Sequence, residues 1–281
     1  MDRYRRSFVR TFSTGPKCRL RVENRNGQIS VRGEDVTEVT LRATAHLYAD
    51  SQSEADREAE RIERGIVHKG ETLQIPVPDL EQPPPPFFFF GGSARVDYEI
   101  TAPKDTALSV ESRNGRVDVR GVAGAVDIEN RNGAVRVAQV AAPLHVQTRN
   151  GRVEVTDAGA SVDVRTTNGG VSVDRCAGGV TIEATNAHLN VSEVGGGAKL
   201  KTTNGLVHYR GEVGGDLEIE TVNGPVRLAV PRDSRFRLDA ESRFGPVWSD
   251  LPVRQDGAGS GGATRNVRLR TVLGPIHIAT L

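Results

Sequence analysis

The stretch that decides the fold runs from Leu108 to Val137 and reads LSVESRNGRVDVRGVAGAVDIENRNGAVRV. Apolar residues come in pairs separated by one residue: Leu108/Val110, Val117/Val119, Val126/Ile128 and Val135/Val137, one pair every nine positions. An Asn-Gly dipeptide stands between alternate pairs, at Asn114-Gly115 and Asn132-Gly133. Followed downstream, the pairs continue without a slip to Val207/Tyr209, and Asn150, Asn168, Asn186 and Asn204 keep the same spacing of 18 residues. After a one-residue slip at Gly214-Gly215 the pattern resumes around Asn223, with Leu217/Ile219 before it and Val226/Leu228 after. Upstream, Leu20/Val22 and Ile29/Val31 flank Asn26-Gly27 in the same way. A period held this long marks a repeat architecture.

Nine residues suit a strand of about five and a turn of about four. Alternation along a strand turns only the two flanking residues of each apolar-x-apolar triplet inward. Two arrangements fit: an antiparallel meander, since Asn-Gly is a strong hairpin signal, and a solenoid whose 18-residue coils give one strand to each of two facing parallel sheets. Packing separates them. A meander of this length puts every valine pair on one face, and the array has no amphipathic helices to cover it; open sheets rarely exceed about ten strands. The coil buries both sets of valines against each other. The expected fold is therefore all-β, a parallel β-solenoid of about 18 residues and two short strands per coil, with one short helix and a hairpin insert. The eight asparagines Asn26, Asn114, Asn132, Asn150, Asn168, Asn186, Asn204 and Asn223 are expected to stack as a structural turn ladder. Outward residues agree: Asp118, Arg136 and Glu154 alternate in sign, as do Glu183, Lys201 and Glu220, and opposite charges on adjacent strands are mutually stabilising.

The flanks divide the chain into three stretches within a single continuous domain. Residues 1–50 hold N-terminal strands and the first coil. Residues 51–92 hold a helix over 51–64 with Ser51 or Ser53 as its cap, a hairpin about Lys69-Gly70, and a Pro/Phe-rich run. Residues 93–281 hold the array, in which Leu238/Ala240 and Val247/Ser249, then Val267/Leu269 and Ile276/Ile278, continue the coils in chain order. In Pro83–Phe90, four prolines favour an extended chain without ladder bonds, and four consecutive phenylalanines cannot all face one core. Phe87, Phe88, Phe89 and Phe90 are read either as a loop covering an open end or as an interaction patch.

Bulk chemistry excludes more than it assigns. The 37 basic and 36 acidic residues leave a net charge of +1, so no overall field draws nucleic acid. Cys18 and Cys176 form no metal-spaced set. The N-terminus MDRYRRSFVRTFS lacks the apolar run of a secretory signal, and no stretch approaches the roughly 18 apolar residues of a membrane span. As written, the sequence reads as cytoplasmic. The six histidines do not cluster, and neither P-loop, GxSxG nor dinucleotide fingerprint is present. The acids are interleaved with arginine rather than converging as a general acid/base pair. No catalytic, cofactor or metal residue is assigned. Arg25, Arg113, Arg131 and Arg149 each precede the Asn of their turn, with Arg116 and Arg152 just after the Gly. They are read as a fan balanced by Glu111, Glu129 and Glu154, with an anion- or glycan-binding edge as the other reading.

The segment YEITAPKDTALSVESRNGRVDVRGVAGAVDIENRNGAVRVAQV resembles the bacterial "putative adhesin" family, a β-strand-repeat domain of unknown function related to autotransporter adhesin heads. The matching features are a strand ending in Pro103, then Leu108-Ser109-Val110, then serial [Ser/Thr/Asn]-x-Asn-Gly-x-Val-x-Val units. The resemblance spans about residues 18–281 and implies a right-handed β-solenoid, no catalytic residues and a cell-envelope location. The expected function is a non-catalytic, adhesin-like binding or scaffolding surface for a protein or glycan partner. A cytoplasmic scaffold polymerising end to end is the alternative, and a polysaccharide-acting enzyme the third.

Overall fold

The computed structural model describes residues 2–80, 94–251 and 265–281. These form two compact units, Met1–Ala142 and Pro143–Leu281. Phe87–Phe90 and the glycine-rich run Gly257–Gly262 lie outside the described residues. Among those described, no helix is long and apolar enough to cross a membrane.

In the first unit, β1 (Asp2–Ser13), β2 (Arg19–Asn26), β3 (Ile29–Glu34) and β4 (Glu38–Ala49) precede the helix α1 (Gln52–Arg64). The strands β5 (Val67–Lys69), β6 (Thr72–Ile75), β7 (Arg95–Pro103), β8 (Ala107–Asn114), β9 (Val117–Arg120), β10 (Val126–Asn132) and β11 (Val135–Val140) follow. One sheet has the order β1-β4-β7-β3-β9-β11 and the other β10-β8-β2-β6-β5. The pairing of β10 with β8 is parallel, Val126 lying opposite Leu108 and Asn132 opposite Asn114. Parallel pairing at an offset of one full repeat is what separates a coil from a hairpin, so the fold is a β-solenoid.

The second unit repeats the plan. Its strands are β12 (Leu144–Asn150), β13 (Val153–Ala158), β14 (Val162–Asn168), β15 (Val171–Cys176), β16 (Val180–Asn186), β17 (Leu189–Val194) and β18 (Ala198–Asn204). They continue as β19 (Val207–Arg210), β20 (Leu217–Asn223), β21 (Val226–Val230), β22 (Arg237–Ser242), β23 (Val247–Ser249), β24 (Asn266–Leu273) and β25 (Ile276–Thr280). The two sheets run β13-β15-β17-β19-β21-β25-β23 and β12-β14-β16-β18-β20-β24-β22.

Between the sheets lies a narrow interior of stacked columns, for instance Val146, Val164, Ile182, Leu200, Ile219 and Leu269, all essentially inaccessible. Burial of each such side chain is worth about 1.5–3 kcal/mol. Beside the Asn corners the next inward column is polar: Asn24, Ser112 and Asn130 in the first unit, Thr148, Thr166, Thr202, Thr221 and Thr271 in the second. Several of these support corner carbonyls from inside. Thr271 donates to Gly224 O at 3.1 Å, and Asn130 Nδ2 to Gly115 O and Gly133 O at 3.2 and 3.1 Å.

The order of coils departs from chain order at both ends. In the second unit β24 and β25 sit between β20/β21 and β22/β23, whereas the apolar pattern alone places residues 238–249 ahead of 267–278. Burial explains the exchange. Val267, Leu269, Ile276 and Ile278 are fully enclosed, while Leu238 and Val247 remain 39% and 43% exposed. The coil with four large apolar residues takes the interior place, and the coil with Ala240 and Ser249 at two of its inward positions takes the end. In the first unit β6 and β7 likewise lie outside β2 and β3. Antiparallel β4 and β1 then extend one sheet, and β5 the other.

The helix belongs to that N-terminal covering. Ser51 is its cap, accepting from Glu54 N–H at 3.2 Å. Its buried face, Ala55, Glu58 and Ile62, has the three-to-four spacing of a helix stripe and packs on β1 and β4. Ion pairs Arg6–Asp56 and Arg10–Glu63 tie it to the edge strand.

Candidate functional site

The corner after each strand of the second sheet is built from Asn-Gly. In the first unit Asn114 Nδ2 donates to Asn26 Oδ1, and Asn132 Nδ2 to Asn114 Oδ1, both at 2.8 Å. In the second unit the same bond runs Asn168 to Asn150, Asn186 to Asn168, Asn204 to Asn186 and Asn223 to Asn204, at 2.7–2.9 Å. Asn114, Asn168, Asn186 and Asn204 thus each donate along the stack and accept from the next. The following glycine is dictated by space as well as torsion. Gly205 has φ +151°, and a Cβ there would lie 1.9 Å from Ala187 O.

The opposite corner follows a rule that the sequence pattern does not announce. Gln139, Asp157, Arg175 and Glu193 all adopt φ between 53° and 56°, the left-handed region costly for side chains with a Cβ. They are spaced by 18 residues, and Gly121 and Gly211, also at positive φ, occupy the equivalent places one coil to either side. The turn resets the in-out alternation, so that Val140, Ala158, Cys176 and Val194 point inward instead of outward. The burial of Cys176 follows from this. The turn residues themselves face solvent, where Arg175 Nε donates to Asp157 Oδ1 at 2.7 Å. That bond holds the Asp157 carboxyl below its ordinary range.

The outward face of the sheet bearing the Asn ladder differs between the units. In the second, one column reads Arg165, Glu183, Lys201, Glu220, Arg270, Glu241 across successive strands. Every neighbour is opposite in sign. Lys201 and Glu220 are 2.7 Å apart, and their hydrogen bond lowers the glutamate pKa and raises that of the lysine. Lys199–Glu218 at 3.2 Å repeats the arrangement one column away. Two shallow grooves of about 480 and 470 Å³ lie over this face.

In the first unit the equivalent column is Glu23, Glu111 and Glu129, like charges in register. Beside it, two residues further along each strand, stand Arg25, Arg113 and Arg131, all exposed. Of the expected balancing of the fan by glutamates, Arg152 meets Glu154 at 3.7 Å, but the arginines of the first unit's row are arranged otherwise. Arg21 takes Glu23 in an ion pair and Glu111 at 3.3 Å. Among the described residues, Arg25, Arg113 and Arg131 make no ion pair with an acid. Arg21 and Arg25 flank Glu23 on one strand, each with one residue between, and it is Arg21 that takes the acid. The guanidinium row is left pointing into solvent.

Titratable groups elsewhere are accounted for by packing. Tyr209 is enclosed, its hydroxyl donating to Glu212 O at 2.8 Å, and burial pushes its pKa up to about 12. His208 and His277 stand two strands apart with Arg227 between them, closer than chain order suggests because β25 sits directly against β21. Burial, then Arg227 and Arg210, lower the pKa of His208. Among the described residues no three His, Cys, Asp or Glu side chains are grouped to hold a metal.

The model of the family described as Toastrack DUF4097 matches residues 19–278. The chain belongs to the Toastrack DUF4097 family. Two solved chains resemble this Toastrack chain. One, from Clostridium sporogenes, is described as a "putative cell adhesion protein"; it is 10% identical, with a TM-score of 0.39, and the match covers 99% of this chain and 100% of that one. No curated protein matches.

Proposed function

We propose that this Toastrack chain is a non-catalytic binding scaffold of adhesin type, and that the ladder face of its first unit recognises an anionic carbohydrate polymer. The observation that carries the reading is the row Arg25, Arg113, Arg131. Three guanidiniums stand on strands about 4.8 Å apart, without acidic partners, on a backbone stiffened by the adjoining Asn ladder. Like charges opposed on neighbouring strands cost stability, and an anionic ligand removes that cost on binding. Arginine presents a planar fork that matches carboxylate and sulfate groups two bonds at a time, and a rigid row needs little ordering to bind. On the second unit the acids are held by basic neighbours, which suits a recognition or solubilising surface better than acid/base chemistry.

The experiment is retention of the whole protein on immobilised dextran sulfate, polygalacturonate and neutral dextran. Retention on the two acidic polymers alone, lost when Arg25, Arg113 and Arg131 are together replaced by serine, supports the reading. Equal retention of wild type and triple variant, or no preference for acidic over neutral polymer, refutes it.

A further inference from the structure

The open end of the second unit assigns this chain a partner: we propose that two copies pair through their β22 and β23 edges, about a twofold axis centred on Leu238. The inference is independent of the ligand reading above, since it uses different residues on the other unit.

Three observations lead to it. First, among the described residues this end is apolar and uncovered. Leu238, Val247, Trp248 and Phe244 are 39%, 43%, 53% and 67% exposed, whereas Val267 and Ile276, over which Leu238 and Val247 sit, are fully buried. Second, among the described residues its backbone is unpaired on one side. Arg237 N–H donates to Arg265 O at 2.8 Å, and Ile276 N–H to Pro246 O at 3.0 Å. Alternation along each strand therefore turns the amides and carbonyls of Leu238, Ala240, Val247 and Ser249 to the free edge, a template for another strand.

Third, the charges select one register. Antiparallel pairing of β22 with itself, centred on Leu238, sets Arg237 opposite Asp239 twice and continues with Arg235 opposite Glu241 twice. Centring on Asp239 opposes that carboxylate to itself. Centring on Ala240 opposes Asp239 to Glu241 and Arg237 to Arg243. Only the Leu238 register pairs unlike charges throughout, with the two leucines meeting over the interior. Asp239, which already faces Arg268 and Arg270 at 3.6 and 3.8 Å, then lies among cations of both copies.

Among the described residues, the first unit's N-terminal edge offers no equivalent surface. Its outermost strand β1 carries Arg3, Arg5, Arg6 and Arg10, charges of the kind that blunt an edge, and α1 packs against it. Its other edge strand, β5, has three residues. One sticky end on each copy closes as a dimer, whereas head-to-tail contacts propagate. This separates the proposal from end-to-end polymerisation.

Sedimentation velocity of the full chain over a concentration series tests it. The wild type should be a monomer–dimer system with no larger species. Leu238→Lys should weaken the dimer at least about tenfold, equivalent to about 1.4 kcal/mol, with the circular dichroism spectrum unchanged. Arg237→Asp and Asp239→Arg should each weaken it, and together restore it in part, because the swap regenerates the contacts across the axis while Asp239→Arg also sets a cation against Arg268 and Arg270; any restoration over the single variants excludes misfolding as the cause. On oxidation Leu238→Cys should link to itself, since residues at the axis approach to about 5.5 Å, within disulfide range, and Ala240→Cys should not. A monomeric wild type at the highest concentration, open-ended polymers, failure of the double swap to restore pairing, or self-linkage of Ala240→Cys in preference to Leu238→Cys would each overturn the proposal.

Discussion

Replacement of Asn186 by alanine isolates the contribution of the ladder. Asn186 donates to Asn168 Oδ1 at 2.9 Å and accepts from Asn204 Nδ2 at 2.7 Å, so the substitution removes two side-chain hydrogen bonds. Each is worth about 0.5–1.5 kcal/mol net. These corners are exposed and water replaces part of the loss, so the lower half of that range applies, giving about 1–2 kcal/mol in all. Asn223 provides an internal control. It donates to Asn204 at 2.7 Å, but the residue opposite it on the next strand is Leu273, so no amide continues the stack. Asn223→Ala should therefore cost about half as much as Asn186→Ala, roughly 0.5–1 kcal/mol. Urea unfolding followed by circular dichroism, compared through midpoints at constant slope, reads both values. Equal costs for the two substitutions, or no loss for Asn186→Ala, would refute the account of the ladder as a chain of two-sided bonds.

Three further outcomes follow from the packing. Gly205→Ala should abolish soluble expression or lower the thermal midpoint sharply, because its Cβ would overlap Ala187 O. Gly70→Ala, also at positive φ but with nothing within 4 Å, should cost only about 1–2 kcal/mol; similar effects at both glycines would contradict the argument. The Glu220 carboxyl is held below its ordinary value of 4.5 by Lys201, so it contributes stability above that pH that is lost as the pH falls through its lowered value. The Glu220→Gln variant should show a shallower loss of thermal midpoint on acidification from about pH 5 to 3, by a small amount because both partners are about one-third exposed; an unchanged slope would count against the pairing. Cys18 and Cys176 are 2% and 1% exposed, with burial raising both thiol pKa values. A chromogenic disulfide reagent should find no reactive thiol in the native protein and two in denaturant, and rapid native labelling would show that the interior opens.

The repeat was legible because two constraints write directly into sequence. An inward side chain must be apolar, which produces Val-x-Val, and a crowded corner favours a residue without a Cβ, which produces Asn-Gly at every ladder corner but Asn186-Ala187. The outer left-handed corner left no such trace. Gln139, Asp157, Arg175 and Glu193 share a torsion but no chemistry, since their side chains face water and any residue willing to bear the strain suffices; only Gly121 and Gly211 in the same register hint at it. Coil order at the second unit's end was hidden for another reason. Spacing shows which residues belong to a coil, whereas the place of a coil depends on how much apolar surface it must hide. The weak set Leu238, Ala240, Val247 and Ser249 against Val267, Leu269, Ile276 and Ile278 carried that information. For the arginine row, spacing showed that Arg25, Arg113 and Arg131 align, but Glu23 has an arginine two residues away on either side, and spacing does not tell which of them it takes.

Every structural and functional inference above depends on 18-residue coils stacked in register, with the last coil tucked inside. Spin labels at Ser172 and His277 in the second unit measure this directly by electron–electron distance. The two positions share one outward column, four strand steps apart. The account predicts a backbone separation near 19 Å, from a spacing of about 4.8 Å per step. A meander laid down in chain order would place the same residues ten strand steps, or about 48 Å, apart, and a distance in that range would contradict the account.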